Sequence, residues 1–187
     1  MFLIQFVYVL NMSLVTEILA AGVLLVDIGL LASLIIFGLK KAGYSFEIVS
    51  RIEEFISDYS TEIVFGFATI ATIGSLYLSN ILGYEPCRLC WFQRIFMYPI
   101  AVLSGTALFL DKSDLRDYVL PLAMIGSPIG FYHFMIQRFE QFSSAGCSIT
   151  AVSCSTEYTF HYGYITIPVM AFTAFMAIIL VLWRFDD

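Results

Sequence analysis

Four cysteines form two pairs of different spacing, Cys87 with Cys90 and Cys147 with Cys154, and the chemistry open to such pairs is thiol–disulfide exchange. The close pair lies in Glu85-Pro86-Cys87-Arg88-Leu89-Cys90-Trp91-Phe92-Gln93-Arg94. Pro86 favours a helix start just behind it, which puts Cys90 in a first turn whose positive dipole end stabilises a thiolate. Arg94, four residues on, falls on the same helix face about one turn deeper. A guanidinium at that depth in an apolar segment marks a functional site when it meets an anion or a polar group; the plainer alternative is a side chain that snorkels to the outer headgroups. The looser pair ends the segments Gly146-Cys147 and Ser153-Cys154 in a polar loop, the two cysteines seven positions apart. It closes into a disulfide if the Cα atoms come within about 7 Å, and an exposed bond on a mobile loop is open to exchange with a visiting thiol. The competing readings are a static staple and a zinc site built from both pairs. Loose spacing of the second pair and an oxidising compartment weigh against zinc, so no metal is expected.

The elements that must position these residues are set by composition. With 60% hydrophobic and 13% charged residues and a mean hydropathy of +0.88, the chain is too apolar for a soluble core and calls for a lipid bilayer. Its 187 residues leave room for one bundle of a few spans. The net charge of −6 makes no basic surface, so no nucleic-acid partner is expected. Apolar runs long enough to cross a ~30 Å hydrocarbon layer recur at Ile18–Leu39, Ile63–Leu82, Trp91–Leu110, Tyr118–Ile136 and Tyr164–Trp183. No alternating β pattern is present, and in lipid that leaves helices as the spanning element. Met1 to Leu10 are apolar as well, so the N-terminal stretch exceeds one straight crossing and is expected to bend near Asn11 to Ser13. A cleaved secretory signal is the alternative there, but no basic region precedes the run, and Glu17 and Asp27 interrupt it.

Lys and Arg favour the cytoplasmic side of short loops. One set of loops holds Lys40, Lys41, Arg51, Lys112, Arg116 and Arg184, and the other Arg88 and Arg138, with Arg94 just inside a span. Six against three places both cysteine pairs on the extracytoplasmic side of a multi-pass protein of the cell (inner or plasma) membrane, where disulfides persist. The chain then divides into an additional N-terminal helix over 1–41, a linker over 42–59 and a bundle over 60–187 with redox loops at 83–90 and 138–162. In the linker, Glu47, Arg51, Glu53, Glu54 and Asp58 alternate with Phe46, Ile48, Val49, Ile52, Phe55 and Ile56, the pattern of an amphipathic interfacial helix. Asp27, near the middle of the first span, is costly unless neutral or paired. It reads as a packing contact, as a proton-handling group or as a sign of different placement.

Cys87-x-x-Cys90-Trp-Phe-Gln-Arg-Ile-Phe-Met-Tyr98-Pro, then Tyr132-His133-Phe134-Met135-Ile136-Gln137, then Gly163-Tyr164-Ile165-Thr166-Ile167-Pro168 occur in that order, and together they resemble the DsbB family. The likeness runs from about residue 60 to the C-terminus and is closer to the family's short-loop, BdbC-like branch. It implies an all-α integral membrane protein, a DsbB-like four-helix transmembrane bundle plus here one additional N-terminal transmembrane helix. It also implies a function: reoxidising a soluble DsbA-like, thioredoxin-fold dithiol oxidase and passing the electrons to a membrane quinone, ubiquinone or menaquinone, so that disulfides are made de novo. By position, the resemblance has the partner attack Cys147, Cys154 attack Cys87, and Cys90 leave as the thiolate facing the quinone. Arg94 matches the quinone-proximal arginine, and His133 a position near the same ring that hydrogen-bonds a quinone oxygen or relays a proton. Tyr98 and Trp91, with Phe92 and Phe131, are expected to line the quinone slot. The short loop leaves open which of Cys147 and Cys154 meets the partner. The enzymatic rival is a vitamin K epoxide reductase-like quinone reductase, in which the loop pair precedes the CxxC rather than following it. A rival from another class is a non-catalytic membrane protein whose disulfides staple outer loops; it needs neither Arg94 at its depth nor a quinone.

Overall fold

The computed structural model describes residues 2–44, 47–110, 114–139 and 153–184, with side chains described from 14 to 183. Apolar sequence without β alternation becomes helix throughout. The elements are α1 (Phe2–Lys41), α2 (Glu47–Asp58), α3 (Ser60–Leu76) running into a π-helical stretch at Tyr77–Ile81, α4 (Arg88–Leu110), α5 (Leu115–Arg138) and α6 (Ile167–Arg184). Leu14–Lys41, Ser60–Ile81, Arg88–Leu110 and Leu115–Arg138 are long and apolar enough to cross a membrane, and Ile167–Trp183 is a shorter apolar helix. These are the five apolar segments expected from hydropathy, and the protein is an all-α membrane bundle.

Helices α3 to α6 share one core, in which Val64 and Ala68 of α3 meet Met97 and Ile100 of α4, Val119 and Ala123 of α5, and Phe175 and Ile178 of α6. Lipid offers no hydrophobic gain for helix association, so close approach at small residues must supply it. At Gly126 of α5 an added Cβ would stand 2.3 Å from Cζ of the fully buried Phe175 ring. Hydrogen there is what lets α5 and α6 touch.

α1 packs against α6 on one side, while Leu25, Leu31, Leu34 and Ile35 stand exposed toward lipid. Its helix is uninterrupted through Asn11 to Ser13, where the sequence led us to expect a bend. The correction has a simple cause: neither Pro nor Gly occurs there to break the ladder. Helix α2 is tied back at the end of the bundle away from the CxxC pair, with Lys40 paired to Glu53 and Ile56 packed on the bundle core. At the opposite end the segment returning to α6 is fastened to the last turn of α5. Gln137 Nε2 donates to the Thr156 carbonyl at 3.1 Å and Arg138 to that of Gly163 at 3.4 Å. A tight turn with Gly163 at φ 80°, a conformation that costs glycine nothing, then pairs His161 with Ile165 and delivers the chain to α6.

Candidate active site

The close cysteine pair sits where α4 begins. The Trp91 N–H donates to the Cys87 carbonyl at 3.2 Å, so Cys87 caps the helix and Cys90 occupies its third position. No disulfide joins them in this structure. The Cys87 thiol donates to Cys90 Sγ at 3.4 Å. That donation, with burial of Cys87 behind it, pushes the Cys87 pKa up to about 12. The shared proton therefore belongs to Cys87.

Behind Cys87 stands His133 of α5, almost wholly buried. Its Nε2 is 3.5 Å from Cys87 Sγ and 3.1 Å from the Cys154 carbonyl oxygen, and its Nδ1 is 3.1 Å from Gln93 Nε2. A carbonyl oxygen only accepts, so Nε2 carries the proton, and Nδ1 then accepts from the Gln93 amide. One buried N–H thus holds the backbone of Cys154 against Cys87. The Cys87 sulfur, a His133 ring nitrogen and the Cys154 sulfur all lie within 4.8 Å of one another. Such donors suit zinc by type, yet here the Nε2 proton is given to the Cys154 carbonyl. The spacing of the two sulfurs is also short enough for thiol–disulfide exchange. Cys154 is buried, where an exposed loop position was expected, because it is tucked between His133 and Cys87. Its companion Cys147 lies outside the described residues.

Two cavities meet at Cys90. The smaller, about 20 Å³, is bordered by Cys87, Cys90, His133 and the loop residues Ser153, Thr156 and Tyr158. The larger, about 380 Å³, has Cys90, Arg94 and Tyr98 of α4 along one side, Tyr84, Glu85 and Tyr158 of the loops at the same end, and mostly apolar residues of α1, α3 and α6 around the rest. Ser75 of α3 fixes the polar side: it receives Arg94 Nε on its hydroxyl at 2.9 Å and Arg94 Nη2 on its carbonyl at 3.1 Å, with the Tyr98 hydroxyl 3.4 Å from its Oγ. Arg94 also lies over the Trp91 ring at 5.2 Å. A hydrophobic slot with a cation and a phenol at one end fits a quinone, whose ring oxygens accept hydrogen bonds and whose isoprenoid chain needs an apolar trough. Arg94 and Tyr98 would hold the ring beside Cys90.

The structure therefore gathers Cys87, Cys90, Arg94, Tyr98 and His133 at one end of the bundle, but not all around one ligand. His133 borders the thiol side and not the larger cavity, because Gln93 and Cys154 take up its nitrogens. Trp91 borders neither cavity and is exposed. One position after Cys90, it is rotated about 100° round the helix. Phe131 is also exposed and packs on Phe172. Sequence reasoning missed Gln93 and Ser75, whose signal was a polar side chain inside an apolar span.

The family profile described as "Disulfide bond formation protein DsbB" matches residues 59–184. "Probable disulfide formation protein C 1" of Bacillus cereus is 43% identical over 121 residues, 65% of this chain and 87% of the relative. "Disulfide bond formation protein C" of Bacillus subtilis is 43% identical over 113 residues, 60% of this chain and 82% of the relative. "Probable disulfide formation protein" of Chlamydia trachomatis is 37% identical over 123 residues, 66% and 89%. No solved structure matches the chain.

Proposed function

The chain belongs to the DsbB family, in its short-loop, BdbC-like branch, and from that premise we propose that it reoxidises a soluble extracytoplasmic DsbA-like dithiol protein and passes the electrons to membrane ubiquinone or menaquinone. Family and helices together make it a multi-pass membrane disulfide oxidoreductase. The observation that carries the finer reading is the position of Cys90 between the two cavities, with Cys87 bordering only the one that Cys154 approaches.

Each sulfur then has a task. The partner's thiolate attacks Cys147, forming a mixed disulfide and releasing Cys154 as the thiolate. Cys154 attacks Cys87; the Cys87–Cys154 bond forms, the Cys87–Cys90 bond breaks, and its electron pair leaves on Cys90. The partner's second thiolate resolves the mixed disulfide and leaves oxidised, freeing Cys147. Cys147 then attacks Cys154, re-forming the loop disulfide and returning Cys87 as a thiol. A quinone, when bound, is the two-electron oxidant, accepting two electrons and two protons as the Cys87–Cys90 bond is remade. Arg94, fixed by Ser75 one turn from Cys90, favours negative charge on Cys90 and at the polar end of the cavity. His133 is a positioning residue, holding the Cys154 carbonyl so that its sulfur stays beside Cys87. Placing the two pairs in one molecule makes the exchange intramolecular.

A Cys154→Ser variant tests the route. It has no loop disulfide but keeps Cys147 as a free thiol, so when an exported thioredoxin-like protein is supplied in its oxidised form, Cys147 attacks that protein's disulfide, one partner sulfur leaves as thiolate, and the mixed disulfide should accumulate for want of Cys154 to displace it. Absence of that species under oxidising conditions would sink the shuttle.

A further inference from the structure

α1 lies outside the family match, which begins at residue 59, yet Ile18, Leu19, Gly22, Val23 and Val26 line the larger cavity. We propose that α1 is a built-in part of the quinone site, walling the portion that takes the isoprenoid chain and latched in place by Asp27 on Tyr164 and Thr173. The inference rests on the quinone reading above and adds to it the residues that select for the chain.

The wall residues share one helix face, spaced i, i+1, i+4, i+5 and i+8. They contribute only hydrocarbon and bare backbone, whereas the groups suited to a ring stand across the cavity on α4: Cys90, Arg94 and Tyr98. Gly22 is decisive. A Cβ built on it would meet no atom within 4 Å, although the residue borders the cavity. A side chain there would enter open space beside the cavity that the residue borders.

Something must hold this helix in register, since lipid gives no hydrophobic reward for docking and much of α1 faces outward. Asp27 does so. It accepts from the Tyr164 hydroxyl at 2.8 Å and from Thr173 Oγ1 at 2.7 Å. A carboxylate within a span is costly unless paired, and here two donors on the return segment and α6 satisfy it. Asp27 lies four residues beyond Val23, on the same face as the wall.

The test uses the full chain in phospholipid nanodiscs with a dithiol donor and two oxidants, menaquinone bearing four isoprene units and menadione, the same ring without a chain. For Gly22→Leu, which fills the trough, the ratio of apparent KM for the chain-bearing quinone to that for menadione should rise about tenfold, the scale on which a hydrophobic site discriminates single groups. Asp27→Leu should raise the same ratio, and Asp27→Asn, which keeps an acceptor oxygen, should restore most of it. Equal rises in both KM values would mean that α1 only props the fold, and an unchanged ratio in Gly22→Leu would mean that it is no wall; either overturns the inference. Failure of the unaltered protein to reduce both quinones would instead overturn the quinone reading, and this inference with it.

Discussion

Cys87 and Cys90 differ in who keeps the proton, and that difference is measurable. With its pKa pushed up to about 12 by donation to Cys90 and by burial, Cys87 keeps its proton well above neutral pH. The sign follows: a raised pKa means that its thiolate fraction climbs throughout the accessible range. In the reduced protein, Cys87 alkylation by iodoacetamide, mapped by peptide fragmentation, should rise about tenfold per pH unit from pH 7 to 9.5. A plateau near pH 8 would show an ordinary thiol. For His133→Ala we expect Cys87–Cys154 interchange to slow at least tenfold in stopped-flow while the KM for quinone stays put, because His133 borders the thiol cavity alone. A rise in KM with unchanged interchange would return His133 to the quinone side. Much of this site was legible: cysteine spacing, Pro86 and an arginine one turn into a span each carry a physical signature. Gln93 and Ser75 were not, because a neutral polar side chain acquires its role only from what folds against it.

Hydropathy was enough to locate the helices, since lipid permits little else, but not to show how they touch. The contact of Gly126 with Phe175 depends on an absent atom, and a run of apolar letters does not reveal it. Gly126→Leu should overpack α5 against α6 and cost about 2 kcal/mol, read as a fall in thermal unfolding midpoint, whereas an unchanged midpoint would mean that the interface yields freely. The π-helical stretch at Tyr77–Ile81 was likewise unreadable, although such turns gather at functional sites and this one begins two residues after Ser75, which fixes Arg94. Asp27 was visible as an anomaly in α1. Its partners lie 137 and 146 residues away in sequence, beyond the reach of local pattern.

At the scale of the molecule, the bundle brings two cavities together at one sulfur, with α4 supplying both the cysteine that divides them and the arginine that polarises one. In the proposed route, the thiol cavity on one side and the apolar slot on the other would give electrons a direction. Arg94→Ala should accordingly raise the KM for quinone while the mixed disulfide of the Cys154→Ser background still forms; equal loss of both would make Arg94 structural. The most direct measurement is anaerobic quinone reduction by the pre-reduced protein, followed by ultraviolet absorbance in single turnover. Cys147→Ser, with the inner pair intact, should consume about one quinone per protein as the Cys87–Cys90 disulfide forms, and Cys90→Ser should consume none. Quinone consumption by Cys90→Ser at the rate of Cys147→Ser would contradict the assignment of Cys90 as the sulfur between donor and oxidant.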